Sequence, residues 1–160
     1  MPSVQSILTQ PYSLLLFFVL FWFAGAAVIA RISGWSSLAR QFAATQVPEG
    51  QTIRFVSGSL GSTHWPVKYR HCLRLVVGST GLYISLMFPF KFRSPALLFP
   101  WQGIEAMQEK QLLSTRSVTL RLRGHWSVLS LPGPVGQFVK AAYEEAVSRD
   151  SFLHQESART

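Results

Sequence analysis

Hydrophobic residues along this chain follow two regimes. One unbroken apolar block lies near the N-terminus, and beyond it apolar and polar positions alternate over about a hundred residues. The block runs from Tyr12 to Ala30, YSLLLFFVLFWFAGAAVIA, and no Lys, Arg, Asp or Glu occurs before Arg31. A helix that spans a bilayer needs about 20 predominantly apolar residues, and this run with Ile32 supplies them. Its Leu, Ile, Phe and Val side chains contribute roughly −3 to −7 kcal/mol on the insertion scale, with no buried charge to oppose them. The pattern therefore predicts an N-terminal transmembrane helix. A cleaved signal peptide fits less well: Ala24-Gly25-Ala26 resembles a cleavage site, but MPSVQSILTQ has no basic residue. A buried helix of a soluble protein fits least, because so short a chain would have to surround it on every side.

Past Ser33-Gly34, a plausible hinge, GWSSLARQFA carries Trp35, Leu38, Ala39, Phe42 and Ala43 at helical spacing. This predicts a short amphipathic helix, set either along a membrane surface or against the following domain. After Pro48 the period changes to 2. Extended segments are expected at Ile53 to Leu60, Lys68 to Val77, Leu82 to Met87 and Leu97 to Trp101. Others follow at Ile104 to Gln111, Ser117 to Arg123 and His125 to Leu131. The second should place Tyr69, His71, Leu73, Leu75 and Val77 on one face. The third should alternate Leu82, Ile84 and Leu86 against Tyr83 and Ser85. The sixth should turn Val118, Leu120 and Leu122 inward and Thr119, Arg121 and Arg123 outward. Beyond Pro132-Gly133-Pro134, the segment from Val135 to Val147 has a helical apolar stripe. The expected architecture is mainly β: about seven strands in a bent sheet or partly open barrel, with a C-terminal helix covering one end. The domains follow as 1–32 (tail and transmembrane helix), 33–51 (amphipathic juxtamembrane helix and linker), 52–148 (the β domain) and 149–160 (a flexible tail).

Charge sharpens this picture. The formal net charge is +8, and every Lys and Arg lies after residue 30. The positive-inside rule then puts the N-terminus outside and the C-terminal domain in the cytoplasm, on the cell (inner) membrane. Cys72 is the only cysteine, so no disulfide forms within one chain, in keeping with a reducing compartment. No acidic residue lies between Glu49 and Glu105, whereas Arg54, Lys68, Arg70, Arg74, Lys91 and Arg93 all do. Such a basic stretch near a membrane suits anionic lipid head groups. The candidate lipid-binding residues are Arg54, Lys68, Arg70, Lys91 and Arg93. The plainer alternative is a solvated face. The stretch FPFKFRSP adds Phe88, Phe90 and Phe92, which join Trp35 as candidate membrane-interface residues; the plainer alternative buries the three phenylalanine rings in the core.

Two sets of residues carry a resemblance. Gly34-Trp35, Leu38-Ala39 and Phe42 form a GW-x-x-LA-x-x-F element. Gly81-Leu82-Tyr83, Ser85, Pro95, Leu97-Leu98, Pro100-Trp101 and Ile104 form a GLY-x-S … P-x-LL-x-PW-x-x-I core. Together they resemble small bacterial single-pass membrane proteins of unknown function with a pleckstrin-homology-like, GRAM-like domain. The resemblance covers roughly residues 12 to 148 and implies no activity. Phosphoinositide-binding pleckstrin-homology domains carry a K-x(n)-[K/R]-x-R pattern. Arg54 and Lys68-Tyr69-Arg70 are similar to it, with Arg in place of the first Lys.

Catalytic chemistry finds little support. Asp150 is the single aspartate, and Glu105 and Glu109 have no evident acid–base partner. His71 and Cys72 are adjacent, so a strand would point them to opposite faces. His64, His125 and His154 lack metal-ligand spacing. Neither enzyme activity nor a cofactor or metal is expected. The sequence leads instead to a membrane-anchored binding or scaffolding module, its basic domain docking on anionic lipid. The alternative is an adaptor for a protein partner at the membrane. Nucleic acid and small-molecule substrates are not expected.

Overall fold

The computed structural model describes residues 11–32, 34–64, 66–88, 91, 94–112 and 115–157. Two helices open the chain, α1 (Pro11–Ile32) and α2 (Trp35–Phe42). Seven strands follow: β1 (Gly50–Gly61), β2 (Pro66–Gly78), β3 (Gly81–Leu86), β4 (Leu97–Pro100), β5 (Ile104–Leu112), β6 (Thr115–Leu122) and β7 (Val128–Pro132). A 3-10 turn, Trp101–Gly103, joins β4 to β5, and α3 (Gly133–Ser157) ends the described chain. The strands form one antiparallel sheet in the order β4-β3-β2-β1-β7-β6-β5. The result is a mostly β half-barrel with a C-terminal helix.

Alternation explains which side of the sheet became the core. On β6, Val118, Leu120 and Leu122 are fully buried, and Arg121 is exposed, as is Arg123 just past the strand. On β3 the inward Leu82 and Ile84 are buried, but Tyr83 and Ser85 are buried as well, so this central strand is covered on both faces. β2 departs from the expected alternation at one point. Its register with β1 shifts between Ile53/Val56 and between Val56/Gly58. Phe55, within the first shift, and His71, within the second, adopt left-handed backbone, with φ of 57° and 51°. A bulge inserts an extra residue and re-aims those beside it. Arg70 and His71 are therefore both exposed and Cys72 and Leu73 both buried. Tyr69, Leu73, Leu75 and Val77 line the core as expected, and His71 does not.

Each end of the half-barrel is closed by a helix. At one end α3 packs Val139 fully into the core, and Tyr143 meets Trp101 edge-on at 6.0 Å. α3 runs on to Ser157, past Asp150, where the polar composition suggested a frayed tail. At the other end α2 buries Trp35, Leu38 and Phe42. Trp35 meets Tyr69 edge-on, Phe42 meets Phe99, and the residue after the helix, Ala43, bridges to Leu97 of β4. The amphipathic helix thus packs on the domain.

The transmembrane expectation requires correction. α1 is helical, but among the described residues no helix is long and apolar enough to cross a membrane. The single-pass anchor, the cell-membrane localisation and the orientation drawn from them are withdrawn on this finding. What the structure describes is an apolar helix whose Leu14, Leu16, Phe17 and Phe21 are exposed.

Candidate functional site

The residues singled out in the sequence fall into three places. Lys68 and Arg70 stand exposed on β2, where they line one groove with Ser57, Ser59, Ser117 and Ser130. Arg54 is exposed on β1, within the first register shift, and does not line that groove. Phe88 and Lys91 are exposed in the loop between β3 and β4. Phe90, Phe92 and Arg93 lie outside the described residues. Trp35, expected at a membrane interface, is instead 1% exposed. Its indole N–H donates to the Pro95 carbonyl at 2.8 Å, and its ring packs into the core at the mouth of the half-barrel together with Leu38 and Phe42.

That mouth gathers exposed aromatic side chains around it. The Gly34-Trp35 junction touches both neighbouring loops: Trp35 bonds Pro95 in the β3–β4 loop, and a Cβ on Gly34 would lie 2.9 Å from the Trp126 ring in the β6–β7 loop. Gly34 has a φ of 73°, a conformation glycine adopts without steric cost. Phe88 is 92% exposed and Trp126 is 55% exposed. Phe88 therefore does not pack on the core, contrary to the plainer reading of its stretch. Lys91 is exposed on the same loop, and its carbonyl accepts from the N–H of Ser94, which is itself buried. Sequence reasoning passed over Trp126. Its neighbour Gly124 marked a turn, and a large aromatic in a turn was the signal available.

The second surface is the outer face of the sheet, away from the core. Two grooves of about 240 and 720 Å³ share Ser59, Ser117 and Ser130. Hydroxyl side chains occupy this face because they alternate with buried Leu60, Val118, Leu120, Leu129 and Leu131 along β1, β6 and β7. That period-2 set was visible in the sequence and was read only for its apolar half.

Charge is sorted between the two sides of the sheet. Among the described residues, the ion pairs join Lys140 to Glu109 and Glu144, and Arg149 to Glu145. All of these involve α3. Glu109 accepts from the Gln137 amide at 2.8 Å and from Lys140 at 3.2 Å. These two bonds, the amide first, hold its carboxyl below the ordinary value of 4.5. On the inner side, burial pushes the Cys72 thiol up, so it is held as a protonated core side chain. Among the described residues no group of three or more His, Cys, Asp or Glu is placed to hold a metal ion. No family model matches the chain, and no curated protein matches it.

Proposed function

We propose that this chain is a non-enzymatic binding module of the pleckstrin-homology-like type, and that it docks on anionic lipid head groups with the end closed by α2. The observation that carries the reading is Phe88, 92% exposed beside the exposed Lys91. A single exposed apolar side chain is ordinary. A fully exposed ring, a second aromatic in the adjoining loop and a neighbouring cation form the combination that suits a lipid interface. The rings enter between head groups while the ammonium stays among phosphates, each cation adding about 1 kcal/mol near an anionic surface. Trp126 is suited to the same depth, because an indole has an apolar body and a polar edge. α1 joins the domain at this mouth and brings further exposed apolar side chains to it. The seven-strand order with a closing C-terminal helix supports the resemblance seen in the sequence.

The test is flotation of the full chain with vesicles of phosphatidylcholine alone or with phosphatidylserine added. The anionic vesicles should carry more protein at low salt. Phe88→Ala with Lys91→Ala should remove most of that difference while melting like the parent. Equal flotation on both vesicles, or a double variant that floats like the parent, overturns the reading.

A further inference from the structure

The outer face of the sheet shows a regular arrangement that lipid docking at the mouth does not use. Strand register sets one row straight across five strands. Lys68 pairs with Ser59, Ser59 with Ser130, Ser130 with Thr119, and Thr119 with Gln108. A neighbouring row of the same face holds Ser117 paired with Lys110, and the row on the other side holds Arg121 paired with Val128. Arg70 and Ser57 border the face on its β1–β2 side. The bulge at His71 contributes to this: its left-handed residue turns Arg70 and His71 out together, and the His71 N–H donates to the Ser57 hydroxyl at 3.1 Å. Left-handed non-glycine residues are strained and cluster at functional sites.

The chemistry of this face is unequal along its length. Cations stand at its two ends, Lys68 and Arg70 on β2, and Arg121 and Lys110 on β6 and β5. Between them lie hydroxyls: Ser57, Ser59, Ser130, Ser117 and Thr119. Among the described residues no carboxylate lines either groove, and none of the four cations is in an ion pair. Opposite charges set across from one another stabilise a sheet face, and among the described residues this face has no such pair. Strands lie about 4.8 Å apart, so β2 stands roughly 14 Å from β6 and roughly 19 Å from β5. A single phosphate cannot reach both ends. A ligand matching the face is extended, anionic at both ends and hydroxylated between. Serine and threonine hydroxyls both donate and accept, which suits a polyol in the middle, whereas phosphate oxygens only accept. Single-stranded nucleic acid fits less well, because it needs several stacking aromatics and among the described residues these grooves offer one exposed aromatic ring, the His71 imidazole, beside the buried Tyr69.

We propose that the outer face of β2, β1, β7, β6 and β5 is a binding site for a phosphate-linked polyol chain. Lys68 and Arg70 hold one phosphate, Lys110 and Arg121, in the rows on either side of the central one, each contact a further phosphate, and the serine and threonine row contacts the polyol between them. This site is separate from the lipid-docking end.

The experiment is calorimetric titration of the full chain with a soluble poly(glycerol phosphate) of three or more units, alongside glycerol 1-phosphate and oligo-dT. The oligomer should bind at least about tenfold tighter than the single unit. Lys68→Ser with Arg70→Ser, and separately Lys110→Ser with Arg121→Ser, should each cost about tenfold, because charge-assisted contacts to phosphate are the strong ones. Both double variants should melt like the parent, since all four side chains are on the surface. The proposal is overturned if the oligomer binds no tighter than glycerol 1-phosphate, if either double variant binds like the parent, or if oligo-dT binds as tightly. Phe88→Ala with Lys91→Ala should leave this binding intact, which separates the failure of this site from the failure of lipid docking.

Discussion

The indole N–H of Trp35 donates to the Pro95 carbonyl at 2.8 Å across 60 residues of sequence. This bond fastens α2 to the β3–β4 loop and seats a fully buried ring in the mouth of the half-barrel. Trp35→Ala should cost about 3–5 kcal/mol in denaturant unfolding, the range for a buried aromatic truncated to Ala. Trp35→Phe keeps a ring but leaves the carbonyl unpaired, and should cost only about 1–2 kcal/mol. Equal costs for the two would mean that the hydrogen bond, and not the packing, holds the helix in place.

The register of the sheet makes a second prediction. Leu82, Ile84, Leu120 and Leu122 are all within 1% of complete burial. Replacing any of them with Ala should cost about 2–5 kcal/mol. Arg121→Gln, on the outer face between Leu120 and Leu122, should stay within about 0.5 kcal/mol. Comparable losses in the two groups would contradict the assignment of faces.

Acid should loosen the contact between β5 and α3. The Gln137 amide and the Lys140 ammonium stabilise the charged form of Glu109, so its folded value lies below 4.5. A carboxylate held low adds stability that is complete above its unfolded value and is lost as pH falls through the folded one. Glu109 therefore contributes at neutral pH, and its contribution disappears on the acid side of 4.5. In an NMR pH titration, Gln137→Ala should move the Glu109 midpoint upward. Lys140→Ala should do so as well. A midpoint indifferent to both would remove these bonds as the cause.

Much of the fold was legible because burial and alternation are the same fact in a half-buried sheet. Val118, Leu120 and Leu122 could be assigned inward from spacing alone. The face of His71 could not, since a bulge is decided by register with β1 and leaves no mark in the period of β2. Tyr83 misled for a related reason: alternation assumes one wet face, and β3 has none. The placement of Trp35 was undecidable from an amphipathic stripe, which suits a core as well as a bilayer. At the site, Lys68 and Arg70 were visible as charges, but their grouping with Ser59, Ser117 and Ser130 depends on strand order. α1 was the largest overreach: an uncharged run predicted a helix, and the further step to a membrane crossing failed among the described residues.

The most direct test of the account is to ask which part of the protein meets the lipid. In a Cys72→Ser background, an environment-sensitive fluorophore is attached to the full chain at Phe88→Cys or, separately, at Glu145→Cys on the exposed surface of α3 at the opposite end. On adding phosphatidylserine-containing vesicles, the probe at position 88 should shift to the blue, and the probe at position 145 should not. Salt should reverse the shift, because charges exposed to solvent are screened over about 10 Å at 0.1 M ionic strength. A shift at position 145 with none at position 88, or no shift at either, would contradict docking through the end closed by α2.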